Sequence, residues 1–217
     1  MGRALRQFAA GIYHLASHGS DRRHLFVDER DRTDFLERLS STFWQRDIDV
    51  LAYVLLGNHY HALVQIPDAR LSEALQRLHT EYSRHHNRRQ KRSAHLFRAH
   101  CLARRIHDDA DLLGAYCYLA RNPVAASLTH DPLEWPWAST RAHAGLESPA
   151  IPLAHAPLQA ALDHNPNWRQ RYVALIQADE PRPSPGLEGE IERGGTYGSP
   201  SWTDIAGAGF EPATSGL

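Results

Sequence analysis

The stretch AYVLLGNHYHALVQI, residues 52–66, decides the fold of this chain. Its two apolar runs are separated by Gly57 and Asn58, a dipeptide typical of a tight turn between antiparallel strands. Side chains alternate along a strand, so His59 and His61 are predicted to share one face of the sheet. Two imidazoles at this spacing can hold one divalent cation if another element supplies a third ligand. By itself, this short pattern more often marks polar histidines at a sheet surface than a metal site.

A second motif, DLLGAYCYLARNPV at residues 111–124, has the apolar spacing of a helix. The helix is predicted to begin near Asp108, an N-cap residue, and to be interrupted around Pro123. Tyr118 and Asn122 are four residues apart and therefore lie on one helix face. If this helix packs beside the strand of the two histidines, Asn122 can supply the third metal ligand and Tyr118 a nucleophile.

Tyr116 is the competing tyrosine of this motif. It stands about 200° from Tyr118 around the helix, so the two cannot both face one metal ion. Tyr116 lines up with Leu112 and Ala120, which are expected to face the core. Tyr118 instead shares the face of Asn122, so the spacing favours Tyr118 as the nucleophile.

These residues resemble the HUH endonuclease superfamily, and within it the single-tyrosine transposases of the insertion-sequence 200/605 type, especially the REP-associated tyrosine transposases. The resemblance spans roughly residues 3–145. By this resemblance, His59 and His61 are metal ligands, Tyr118 is the tyrosine that attacks DNA, and Asn122 is the third ligand. The motifs that carry it are IYHL at 12–15, YVLLGNHYH at 53–61, YLARNPV at 118–124 and WPWAS at 135–139.

The chain departs from the family pattern at three places. Gly57 stands where a proline is usual, which is expected to loosen the turn without touching the ligands. Residues 18–20 read HGS where the family commonly has Arg-Gly-Asn. Residues 138–140 read AST where Ser-Ser-Tyr is usual, next to Trp135 and Trp137, which are predicted to be packing anchors.

The strand and helix patterns follow the order β-α-β-β-α-β, and the helix of Tyr118 comes after them. This order predicts an α+β fold with a ferredoxin-like core and an antiparallel sheet. The two histidines lie on a central strand, one sheet face carries two helices, and the other face is left for a ligand. The predicted strands are residues 12–17, 49–56, 59–66 and about 101–106, and the predicted helices between them are 31–46 and 71–88.

The 217 residues are predicted to form a HUH transposase domain at 1–145, a helical extension at 146–178 and a disordered Gly/Pro-rich tail at 179–217. A helix is expected at about 166–177 in the extension. No apolar run is long enough to cross a membrane, and the start of the chain has no secretory pattern. The two cysteines fit a reducing compartment. A cytoplasmic protein is therefore expected.

The formal net charge of −1 hides a basic segment between residues 77 and 105, which holds nine basic residues and one acidic residue, Glu81. Such a one-signed excess is typical of a phosphate-binding surface, although an ordinary charged helix face is the simpler interpretation. Tyrosine and histidines are interleaved with the arginines, a composition that suits single-stranded DNA. The predicted DNA-binding residues are Arg77, Arg84, Arg88, Arg89, Lys91, Arg92, Arg98, Arg104 and Arg105.

The resemblance implies an enzyme that nicks and rejoins single-stranded or hairpin DNA through a 5′-phosphotyrosine, as a monomer or homodimer. Nitrogen and amide ligands suit a Mg²⁺ or Mn²⁺ ion recruited with the substrate better than a closed zinc site. Two other classes stay open at this point. One is a metal-dependent hydrolase, which would leave Tyr118 unexplained, and the other is a DNA-binding protein that no longer cuts.

Overall fold

The computed structural model describes residues 8–98 and 101–178, so the predicted tail at 179–217 lies outside the described residues. A four-stranded sheet forms its centre, and every neighbouring pair of strands is antiparallel. The strands are β1, Gly11–His18; β2, Asp49–Leu55; β3, His59–Ile66; and β4, Leu102–Arg105. Their order in the sheet is β2-β3-β1-β4, so β3 is a central strand.

Six α-helices lie in the described part of the chain. The first two fall between strands, so the predicted ferredoxin-like order is confirmed, and α3 follows β4 directly. The three short helices after α3 belong to the C-terminal part. The helices are α1, Glu29–Trp44; α2, Leu71–Arg89; α3, Asp109–Ala125; α4, Thr140–Ala144; α5, Ala156–Ala161; and α6, Trp168–Gln177.

One face of the sheet packs against α1 and α2. Tyr60, Ala62 and Val64 are alternate residues of β3 on this face, and all three are fully buried. Phe35 of α1 lies edge-on to Tyr82 of α2, with ring centroids 5.1 Å apart. The alternation of β3 thus sends its tyrosine into the core and its histidines to the opposite side.

The opposite face of the sheet is partly covered by helices, which corrects the expectation that it is left for a ligand. Leu51, Val54 and Leu63 point to this face and are fully buried. They share one apolar cluster with residues of α3, α5 and α6, including Leu158 and Tyr172. Because these strand residues are large and apolar, exposing them to water would be unfavourable, and the helices bury them. Only part of this sheet face therefore remains open for an active site.

Helix α3 runs through Pro123 and ends at Ala125, so the predicted interruption around Pro123 is wrong. A proline removes one backbone donor and crowds the preceding turn. Here it stands in the last turn, where the N–H of Ala126 still donates to the carbonyl of Asn122 at 2.9 Å. Asn122 therefore remains in the helix, one turn after Tyr118.

The segment 135–139 lies along the edge strand β2. Trp135 donates from Nε1 to the carbonyl of Leu55 at 3.0 Å, and Ser139 Oγ accepts from the N–H of Tyr53 at 3.0 Å. This cover satisfies backbone groups that an edge strand would otherwise expose. Both observations agree with the predicted packing role of the segment. Among residues 8–98 and 101–178, no helix has the length and apolar character that a membrane crossing requires.

Candidate active site

Four histidines meet on the sheet face opposite α1 and α2. His59 and His61 come from β3, and the antiparallel register with β1 sets His59 opposite His18 and His61 opposite Ala16. The rings of His18 and His59 are stacked, with centroids 4.8 Å apart. Nε2 of His14 lies 3.1 Å from Nδ1 of His61, so one of these nitrogens donates a hydrogen bond to the other.

Tyr118 and Asn122 of α3 lie against this histidine cluster. The Tyr118 ring is 5.3 Å from the ring of His61 and 5.6 Å from the ring of His14. The Asn122 side chain lies near both His59 and Tyr118, and it raises the pKa of His59 and lowers that of Tyr118, against the larger effect of burial in each case. The structure therefore brings together the four residues that the sequence pattern selected as ligands and nucleophile.

An ion pair at the beginning of α3 fixes where this helix lies. Arg104 of β4 donates to both carboxylate oxygens of Asp111, at 2.9 and 2.7 Å, and both side chains are buried. Asp111 also receives the N–H of His107, and its own N–H donates to the N-cap carboxylate of Asp108 at 2.8 Å. Strand β4 is thereby tied to the first turn of α3, and Tyr118 follows two turns later.

The histidines of the site are uncharged at neutral pH. Burial, together with the nearby His18, lowers the pKa of His59 to about 3. Burial and the neighbouring imidazoles also hold the pKa of His61 well below its usual value. A neutral imidazole has one nitrogen lone pair, which is the form that ligates a metal ion.

Asn58, in the turn before β3, orients His59. Its Oδ1 lies 2.7 Å from Nδ1 of His59, and a carbonyl oxygen can only accept, so Nδ1 carries the hydrogen and Nε2 the lone pair. Gly57, the residue before Asn58, packs closely against the His24 side chain. A Cβ at Gly57 would stand 3.0 Å from Nδ1 of His24. A residue with a Cβ at this position, such as the usual proline, would therefore require the His24 side chain to shift.

The Tyr118 hydroxyl is a weak nucleophile as it stands. Burial raises its pKa, and the nearby Asn122 side chain only partly opposes that effect. The phenol is therefore protonated at neutral pH. Any attack by Tyr118 needs a change around the hydroxyl that stabilises the phenolate.

The donor set on this face is compatible with a divalent ion that keeps open coordination positions. It offers two neutral imidazoles and one amide, and no carboxylate belongs to it. Within the described ranges, no group of three or more His, Cys, Asp or Glu side chains is arranged to hold a metal ion. An ion here would thus depend on oxygen ligands from substrate or water, as Mg²⁺ and Mn²⁺ often do.

The nine predicted DNA-binding residues divide into two groups. Arg89 donates to Asp28 and Asp31, which ties α2 to the N-terminus of α1, and Arg104 is bound to Asp111 as described above. The guanidinium groups of these two residues are committed within the fold. The remaining seven are exposed, and their contact with DNA stays a prediction: Arg77, Arg84, Arg88, Lys91, Arg92, Arg98 and Arg105.

The sequence pattern gave no role to His14 or His18. Both face the site because β1 pairs with β3, and that pairing is not visible in a local stretch of sequence. Their spacing of four on one strand was the available signal, since it sets both side chains on the same face. Arg104 and Asp111 were missed as a pair because a basic residue in a basic segment suggests a surface role.

Comparison with known proteins agrees with the predicted family and fold. Residues 7–105 match the family described as "Transposase IS200 like", a range that includes His59 and His61 but ends before Tyr118. The solved structure described as "Structure of the REP associates tyrosine transposase bound to a REP hairpin" is similar in fold, with a TM-score of 0.56 and 15% identity. The similarity covers 71% of this chain and 92% of that chain. No curated protein sequence matches the chain.

Proposed function

We propose that this protein is an IS200-like transposase that acts as a metal-dependent endonuclease and strand transferase on single-stranded, hairpin-containing DNA. Tyr118 is the proposed nucleophile, and His59, His61 and Asn122 are the proposed ligands of Mg²⁺ or Mn²⁺. The observation that carries the proposal is the contact of the Asn122 side chain with both His59 and Tyr118. It supports a site in which the nucleophile and the ligand set meet at one phosphate.

A bound ion would act as a Lewis acid on the scissile phosphate. The residues of the chain orient its ligands. Asn58 accepts from Nδ1 of His59, which leaves Nε2 as the ligating atom. In the proposed site His61 likewise donates from Nδ1 to His14, 3.1 Å away. Asn122 would hold the ion through its side-chain carbonyl oxygen.

The reaction breaks one phosphodiester bond and forms another. The Tyr118 oxygen attacks the phosphorus, the bond to the 3′ oxygen breaks, and the phenolic proton ends on the free 3′-hydroxyl. The product is a 5′-phosphotyrosine. The reverse attack by a 3′-hydroxyl reseals the strand, so transfer needs no external energy source. Because burial raises the pKa of Tyr118, loss of its proton must accompany binding of the phosphate.

The alternative is a DNA-binding protein of the same family that no longer cuts. The raised pKa of Tyr118 is the observation that favours it. The solved structure with the similar fold is described as bound to a REP hairpin, which supports DNA as the partner under either proposal.

A covalent-adduct assay separates these functions. Wild-type protein is incubated with Mn²⁺ and single-stranded hairpin DNA labelled at its 3′ end, the end that stays on the protein, and products are resolved under denaturing conditions. The proposal predicts a labelled protein band with Mn²⁺ that disappears with a chelator. A DNA complex seen only under native conditions would favour the binding protein. Free nicked DNA with no adduct would point instead to a hydrolase.

A further inference from the structure

A cavity of about 260 Å³ opens between the C-terminal end of α2, the segment 92–96 and the loop 23–27. None of the candidate active-site residues lines it, so it is a separate site. Its loop is nevertheless tied to the turn before β3, because the N–H groups of Leu25 and Phe26 both donate to the carbonyl of Gly57. A ligand in this cavity would thus sit beside the turn that leads to His59.

His86 gives this cavity a polar wall whose ring nitrogens have no hydrogen-bond partner among residues 8–98 and 101–178. Its side chain is 4% exposed, and in the described ranges neither ring nitrogen makes a hydrogen bond. A buried polar group without a partner costs free energy, and a ligand that bonds to it recovers that cost. Burial also lowers the pKa of His86, so the ring offers one donor and one acceptor at neutral pH.

The other lining residues combine apolar surface, amides and positive charge. Leu96 is buried at the wall, and Val27 is 57% exposed beside it. The amide of Asn87 follows His86 on α2, and the amide of Gln90 comes from the residue just after the helix. Arg23 and Arg92 add two guanidinium groups, and the described lining includes no Asp or Glu. The cavity therefore suits a planar group with polar edges that carries a negative charge.

We infer that this cavity binds one unpaired nucleotide of single-stranded DNA. The base contacts Leu96 and Val27, its polar edge bonds to His86 and Gln90, and its phosphate lies near an arginine of the rim. The volume of about 260 Å³ is below the roughly 300–1,000 Å³ of drug-sized pockets, so the cavity suits one nucleotide unit rather than several. This inference rests on the proposed function only for the identity of the ligand as DNA.

The test compares strands that differ only in their bases. Fluorescence anisotropy measures binding of thymidine, deoxyadenosine and deoxycytidine homopolymers, and of an abasic deoxyribose-phosphate strand of the same length. Wild type is expected to bind at least one base-bearing strand more tightly than the abasic strand. His86→Gln and Gln90→Ala should each reduce affinity for that strand by about tenfold and leave abasic binding unchanged.

Arg88→Ala is the matched control, because Arg88 is exposed on the same helix but does not line the cavity. Loss of its charge should weaken all strands by the same factor. Gln90 lies just after α2, where a substitution does not interrupt the helix. If thermal melting shows that His86→Gln is unfolded, the affinities of Gln90→Ala for the base-bearing and abasic strands test the inference instead. Equal losses on base-bearing and abasic strands, or no loss on either, would overturn the inference. Adduct formation by wild type is scored separately, so its absence rejects the proposed function and not the cavity.

Discussion

At the scale of single residues, the two tyrosines of α3 have opposite surroundings. Tyr116 is buried, lies edge-on to His143 and donates a long hydrogen bond of 3.4 Å to the carbonyl of Leu51. Tyr118 faces the histidine cluster. We therefore expect Tyr118→Phe to abolish the covalent DNA adduct without unfolding the protein, and Tyr116→Phe to retain it. Denaturing gels and mapping of the adduct peptide check this, and an adduct in Tyr118→Phe would contradict it.

His61 is the ligand for which a metal role and a structural role predict different outcomes. As a proposed ligand, His61→Ala should abolish Mn²⁺-dependent cleavage while single-stranded DNA still binds with wild-type affinity. If His61 has only a packing role on the sheet face, the same change should lower the melting temperature and leave cleavage by the folded fraction intact. Cleavage and thermal melting are measured on the same preparation, with His59→Ala as the companion variant.

His14 is expected to act through His61, because their ring nitrogens are 3.1 Å apart. Partners that hold a metal-ligating histidine typically contribute about 10–100-fold to metal affinity. His14→Ala should therefore weaken Mn²⁺ binding by about 10–100-fold. Calorimetric titration with Mn²⁺ in the absence of DNA measures this directly. Unchanged Mn²⁺ affinity in a folded His14→Ala protein would remove His14 from the site.

The local sequence predicts the residues of α3 better than those of β1 for a physical reason. Tyr118 and Asn122 lie on one helix face by periodicity alone. The approach of His14 and His18 depends on the register between β1 and β3, which joins residues more than forty positions apart. Likewise, Arg89 reaches the N-terminus of α1 across a similar separation, and a basic segment gives no sign of such a contact.

At the scale of elements, α3 depends on the buried ion pair between Arg104 and Asp111. Removing one partner of a buried pair typically costs about 3–5 kcal/mol, because the other charge is left uncompensated. Asp111→Ala should therefore lower the free energy of unfolding by roughly that amount, measured by urea denaturation. Asp109→Ala, at an exposed position in the same helical turn, should change it by less than about 0.5 kcal/mol. Similar small effects from both variants would show that the pair does not hold α3.

The start of α3 could be predicted from its capping residue, because Asp108 accepts a hydrogen bond from the backbone N–H of Asp111. The sequence pattern predicts the first helix from residue 31, but Asp28 caps it in the same way, so α1 begins at Glu29. The passage of α3 through Pro123 and the cover on the second sheet face could not be predicted in this way. Both depend on tertiary packing, since α5 and α6 supply residues to the apolar cluster around α3.

At the scale of the whole molecule, the seven exposed basic residues between 77 and 105 predict a salt-dependent preference for single strands. Each phosphate contact on single-stranded DNA contributes a slope of about −0.7 in log affinity against log salt concentration. Arg84→Ala should make the slope less steep by about that amount. Titrations at several salt concentrations measure it. Equal affinity for blunt duplex and single strands at matched salt would contradict the predicted preference.

Acid sensitivity of the whole fold is expected from histidines that are buried in the neutral form. His143 of α4 is fully buried between the rings of Tyr116 and Tyr172 and lies 3.1 Å from His155. Burial, followed by the charges of His155 and Arg169, lowers the pKa of His143 from 6.5 to about 3. Above pH 6.5 both folded and unfolded chains leave this ring neutral, and its contribution to stability is complete.

As the pH falls from 6.5 towards 3, the unfolded chain binds a proton at His143 that the folded chain excludes. The free energy of unfolding should therefore fall by about 1.4 kcal/mol per pH unit from this residue alone. Urea denaturation of wild type and His143→Gln between pH 7 and pH 5 should show a shallower decline in the variant. His130→Gln, at an exposed position, is the matched control and should keep the wild-type slope. If His143→Gln and wild type lose stability in parallel as the pH falls, the ring takes up its proton in the folded protein, and α4 is less tightly packed than the structure describes.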